Sequence, residues 1–308
     1  MSEERASLAL TVDVEGEWFE LPGEQGSFDV GRVLEAVYHL EARLERLESR
    51  IEAKIPITWF IRCDDSVAAT TGHASGLLQA LKDFVARRMA RGDEFGLHPH
   101  LYERSDGKWT SQANPEGQKG QLESAAEAWK KYFGSGPRLS RLGEAVMNNE
   151  IAGCLDGLGI EIDSSALSGR KRSDSGFQFD WTGTPTSAYR PSVPDYRRPA
   201  RKDEAERRFV EVPFTMLPML GPQDREPIWR YCNLSFFPNL IKNALMKVER
   251  PEFLVAVVHP HELLPGGKAH PLIAHQPTSL EENIDNIRAA LGDLNFTLLS
   301  ACVRGARE

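Results

Sequence analysis

Short apolar runs alternate with amphipathic stretches along most of this chain, and nearly every run ends in a polar or titratable cluster. That alternation restricts the fold more than any other feature. The runs 8–14, 55–62, 93–98, 138–141, 160–163, 210–214, 253–258 and 296–300 read as extended. Helical patterns lie between them, over 30–54, 76–91, 117–133, 144–158, 238–248 and 281–291. In the first, Val33, Val37, Leu40, Leu44, Leu47 and Ile51 recur at steps of four and three, the stripe of a helix that covers a sheet or of a short coiled coil. Strand and helix in alternation predict a parallel sheet or barrel rather than an all-α or all-β fold. A chain of 308 residues could hold two domains, but one α/β barrel is equally ordinary at this length and is the expectation. The one break in rhythm is an irregular insertion at about 168–208, where Ser, Gly, Pro, Arg and Lys replace the periodicity.

Composition removes several function classes. The net charge is −8, and the densest basic stretch, 196–208, is interleaved with Asp203, Glu204 and Glu206, so no nucleic-acid partner is expected. Cys63, Cys154, Cys232 and Cys302 form no CxxC pair and read as scattered thiols of a reducing compartment. Met1–Arg5 leads straight into an apolar strand without a signal peptide, and no apolar run reaches the ~18 residues of a membrane span. The expectation is a cytoplasmic protein without membrane insertion. The acidic helix faces leave the oligomeric state open. No G-x-S-x-G elbow, P-loop or G-x-G-x-x-G occurs.

The chemistry-bearing residues sit at the strand ends. Asp13 and Glu15 are two apart and so face one side of a strand, where two carboxylates can divide cation binding and base catalysis. An isolated D-x-E fits a solvated strand end equally well. Glu17 is the next same-side position if the strand continues past Gly16. His98-Pro99-His100 ends one run and His259-Pro260-His261 another. The first pair can bind zinc, iron or cobalt, or serve packing. In the second, a histidine can transfer protons near neutral pH and Glu262 can orient it, or either ring can be a core histidine. Arg141 ends a short run and can hold a carboxylate or an oxyanion, or form a surface ion pair. Trp181 and Tyr189 lie in the insertion, where aromatics can stack on sugars or pack a lid.

The order of these clusters resembles the polysaccharide deacetylase family, carbohydrate esterase family four. Thr11-Val12-Asp13-Val14-Glu15 is similar to its first motif in a D-V-E variant, and Ile57-Thr58-Trp59-Phe60 to the strand that follows. Glu94-Phe95-Gly96-Leu97-His98-Pro99-His100 resembles the second motif, and Ser140-Arg141-Leu142-Gly143 sits where the arginine motif is expected. Asp163-Ser164-Ser165, Val210-Glu211-Val212-Pro213 and Val258-His259-Pro260-His261-Glu262-Leu263 resemble the later motifs. The resemblance implies a distorted (β/α)7 barrel, with Asp13 as general base, Arg141 orienting it and His259 as general acid. It implies Glu15 and His98 as ligands of a divalent metal, zinc first. The family's second metal histidine falls at Tyr102, so His100 is expected to take its place. Tyr102, Trp181 and Tyr189 are the expected sugar contacts.

The implied activity is metal-dependent hydrolysis of an N-acetyl or N-formyl amino sugar, on a small, nucleotide-linked or lipid-linked precursor of a surface polysaccharide. Two alternatives remain at the level of sequence: an allantoinase-like hydrolase of non-sugar amides, and an inactive sugar-binding relative.

Overall fold

In the computed structural model, residues 5–16, 29–105, 107–173, 178–249, 251–265 and 270–307 are described. Glu17 lies outside them, as do Met1–Glu4. The central strand is β1 (Ser7–Val14), whose residues from Leu8 onward are all buried. Burial on both faces explains why this segment is a continuous apolar run rather than an alternating one. The other sheet strands are β2 (Thr58–Arg62), β3 (Glu94–His98), β4 (Leu139–Ser140), β5 (Ile162–Asp163), β6 (Val210–Glu211), β7 (Phe253–Val258) and β8 (Asn295–Thr297).

Their order is β6-β5-β4-β3-β2-β1-β7, all parallel, with β8 beside the first half of β1. The register runs Thr11↔Val257 on one edge of β1 and Thr11↔Thr58 on the other. Between β6 and β7 no regular ladder forms. The gap is spanned by the chain around Thr215 and Cys232–Leu234: Thr215 N donates to Val255 O (3.1 Å) and Leu234 N to Val257 O (2.8 Å). This is the expected distorted seven-stranded α/β barrel.

The helix Val30–Ile51 packs its stripe (Val33, Val37, Leu40, Leu44, Leu47) into the core, in the barrel-covering role rather than that of a coiled coil. The expected helices shift at their ends by up to three residues, and two differ by more. The one expected over 76–91 divides at Leu81 into Gly76–Ala80 and Lys82–Ala90, and a further helix, Asp65–Thr71, precedes it. The one expected over 144–158 starts only at Asn149, because Asn148 caps it by accepting from Ile151 N. Residues Gly143–Ala145 form a separate single turn.

Among the described residues, three antiparallel hairpins decorate the barrel: Tyr102–Ser105 with Lys108–Ser111, Lys171–Ser173 with Gln178–Asp180, and Met216–Met219 with Ile228–Tyr231. The insertion at 168–208 is thus not wholly irregular. Among the described residues no helix is long and apolar enough to cross a membrane. All four cysteines are free, and all but Cys302 are buried.

Candidate active site

Parallel strands bring their C-terminal ends to one side of a barrel. Here that side gathers Asp13 and Glu15 at the end of β1, His98 and His100 at the end of β3, Arg141 after β4 and His259 after β7. Glu15 Oε2 lies 2.8 Å from His100 Nε2 and 3.5 Å from His98 Nε2. The two Nε2 atoms are 3.3 Å apart. All three ligand atoms fall within 4.8 Å of one another.

The outer nitrogens of both rings are engaged. His98 Nδ1 donates to Arg141 O (2.7 Å). The Tyr102 hydroxyl donates to Glu144 Oε1 (2.9 Å), so its oxygen receives the Nδ1–H of His100 (2.8 Å). Each ring therefore turns an Nε2 lone pair toward Glu15. One carboxylate oxygen and two imidazole nitrogens, with both rings held from behind, suit zinc, iron or cobalt.

The backbone is fixed as well. His100 N donates to Asp64 Oδ2 (3.1 Å), and Asp64 also caps Asp65–Thr71 and pairs with buried Arg62 (2.7 Å). Burial and Arg62 pull His100 down to about 4, so this ring is neutral at pH 7, as a ligand must be.

Arg141 is fully buried and so is not a surface ion-pair residue. Its guanidinium sits 4.2 Å from the ring centres of both Phe60 and Phe214. Nη1 donates to Asp13 Oδ1 (2.6 Å) and Thr11 Oγ1 (2.8 Å); Nε and Nη2 donate to Ser164 O and Oγ (2.9 and 3.0 Å). All three nitrogens of the fork are engaged, and Nη1 takes Asp13 Oδ1, which leaves Asp13 Oδ2 as the outward oxygen.

His259 Nε2 stands 3.7 Å from Asp13 Oδ2 and 3.6 Å from Glu15 Oε1. Behind it, Nδ1 meets Glu262 Oε2 at 3.2 Å, and Asn233 Nδ2 holds that same oxygen at 2.8 Å. Burial favours the neutral ring, yet Glu262, Glu15 and Asp13 outweigh it and push His259 up to about 10. Burial also raises Glu262, but His259 brings it down to about 2. His261 is buried with its ring 5.9 Å from that of His259.

The three expected sugar contacts sit elsewhere than on an open surface. Tyr102 is buried behind His100, as described. Trp181 is fully buried, its indole N–H donates to Ala145 O (2.9 Å), and it meets Tyr196 edge-on at 5.0 Å. Tyr189 is buried with its hydroxyl on Tyr196 O (2.8 Å). A sugar platform needs a free ring face. These rings spend theirs on packing, which is the lid-packing alternative. Sequence reasoning missed Glu144, Asn233 and Asp64, which hold the site from behind, and placed Ser164 in a motif without giving it a role.

This fold is shared with solved structures described as polysaccharide deacetylases. Among solved structures the chain is similar to a candidate polysaccharide deacetylase from Mycobacterium smegmatis, with a TM-score of 0.50 and 15% identity over 100% of this chain and 92% of that one. It is similar to a probable polysaccharide deacetylase from Pseudomonas aeruginosa, with a TM-score of 0.57 and 13% identity over 97% and 89%. A candidate glycoside hydrolase/deacetylase from Parabacteroides distasonis gives 0.61 and 13% over 95% and 69%. The likeness is one of fold. The sequence matches no protein-family model and no curated protein.

Proposed function

We propose that the protein is a metal-dependent hydrolase that removes an N-acetyl or N-formyl group from an amino sugar. The supporting observation is the joint placement of a ligand trio, a tethered carboxylate and a charged histidine: His259 Nε2 lies within 3.7 Å of both Asp13 and Glu15, and Glu15 lies within 3.5 Å of both His98 and His100. Glu15, His98 and His100 would hold the metal. Zinc is the leading candidate, and it would polarise the acyl carbonyl and the attacking water as a Lewis acid.

The chain's own residues then divide the proton transfers. Arg141 fixes Asp13 with Oδ2 outward, where it takes the proton of the water that attacks the acyl carbon. His259 carries a proton at neutral pH and donates it from Nε2 to the departing nitrogen as the C–N bond breaks. The products are a carboxylate and a free amine. Glu262 keeps His259 charged and aimed, and Asn233 keeps Glu262 in place. A precursor of a surface polysaccharide, nucleotide-linked or lipid-linked, is the proposed source of the amino sugar.

Metal content and acyl release of purified wild type, His98→Ala and His100→Ala test the site. Both variants should lose bound metal and release no acyl group. Full metal retention by both would sink the assignment. Screening small amides beside N-acylated sugars separates this substrate class from a non-sugar amide.

A pH profile tests His259. As the acid, it must be protonated, so activity should fall as pH rises through its pKa. Glu262 holds that pKa up, so Glu262→Gln should move the alkaline limb to lower pH by about 1–3 units. An unmoved limb would place the acid elsewhere.

A further inference from the structure

The turn Gly143–Ala145 carries an unusual backbone. Glu144 has φ 57° and ψ 17°, and Ala145 has φ 54°, the left-handed region that side-chain-bearing residues disfavour. Two such residues in succession persist only where surrounding contacts impose them. Those contacts are visible: Gly143 N donates to Pro99 O (3.0 Å), Leu142 N to Ser165 Oγ (2.9 Å), and Trp181 Nε1 to Ala145 O (2.9 Å). Trp181 is itself braced by Tyr196, whose hydroxyl donates to Asp180 O (2.6 Å).

The turn acts on His100 twice. A Cβ at position 143 would lie 2.2 Å from His100 Cδ2, so only glycine leaves room for the imidazole. The next residue, Glu144, then accepts from the Tyr102 hydroxyl, which receives the His100 Nδ1–H. An ordinary right-handed conformation at position 144 would aim its side chain elsewhere.

We propose that Glu144 is a positioning residue for the metal site: acting through the Tyr102 hydroxyl, it fixes the His100 ring with Nε2 open to a divalent cation. The insertion holds the device in place through Trp181. This rests on the metal-site reading above. Tyr102 is thereby the relay that makes His100 a ligand, rather than a gap in the ligand set.

Zinc and cobalt(II) affinity, measured by competition with a chelator, tests this in Glu144→Gly, Glu144→Gln and Tyr102→Phe. Glycine tolerates the left-handed backbone, so Glu144→Gly should melt no lower than wild type without metal. Its metal affinity, and that of Tyr102→Phe, should nonetheless fall by about 10–100-fold, with an altered cobalt(II) visible spectrum. Glu144→Gln keeps an acceptor for the hydroxyl and should retain most of the affinity. The proposal is overturned if Glu144→Gly binds as tightly as wild type, or if Glu144→Gln loses as much as Glu144→Gly. Wild type that binds neither metal, or binds it equally well after His98→Ala, overturns the site itself, a distinct result.

Discussion

Asp13→Asn should lower acyl release on the order of 10²–10⁴-fold, the usual range for a lost general base. The amide oxygen can still accept from Arg141, so the fold and the ligand trio should survive. Metal content should match wild type, and the KM for an N-acylated amino sugar should change far less than kcat. Activity within a few-fold of wild type would remove Asp13 from the chemistry. This variant separates the base from the metal ligand two residues later, which no substitution at Glu15 can do.

Arg141→Ala carries the largest expected cost in stability. It strips the partner from buried Asp13 and leaves the space between Phe60 and Phe214 unfilled. Breaking a buried pair by removing one partner costs about 3–5 kcal/mol, a large part of a typical total of about 5–15 kcal/mol. Denaturant unfolding should register it as a lower midpoint. Adding Asp13→Asn to Arg141→Ala should cost less than the sum of the two, because no uncompensated charge then remains. Strict additivity would mean that the 2.6 Å contact carries no coupling.

The barrel was legible because each buried parallel strand writes itself as an apolar run with a polar end. Asp13, Glu15, His98, Arg141 and His259 stood out for the same reason. What stayed hidden is informative. Glu144 looked like the first residue of a helix, since neither Glu nor Ala signals a left-handed backbone. Only Asn148, a good N-cap, hinted that the helix starts later. The hairpin from Tyr102 to Ser111 did carry a signal, Asp106-Gly107 between two short runs, with Gly107 at φ 78°. Trp181 and Tyr189 show the opposite limit. An aromatic in an irregular segment has no periodicity to reveal its facing, so a packing anchor and a sugar platform look alike until burial is known.

The place of β1 has a consequence for how the chain comes to work. The strand is synthesised well before its partner β7: Thr11 bonds to Ala256, 245 residues away in sequence. At ordinary translation rates about 10–50 s separate the two. Until β7 arrives, β1 has an open hydrogen-bonding edge, a template for unwanted pairing with other chains. Asp13 and Glu15 likewise wait that long for His259. Chemical competence and closure of the aggregation-prone edge therefore arrive in one event, and a chain truncated before β7 would lack both.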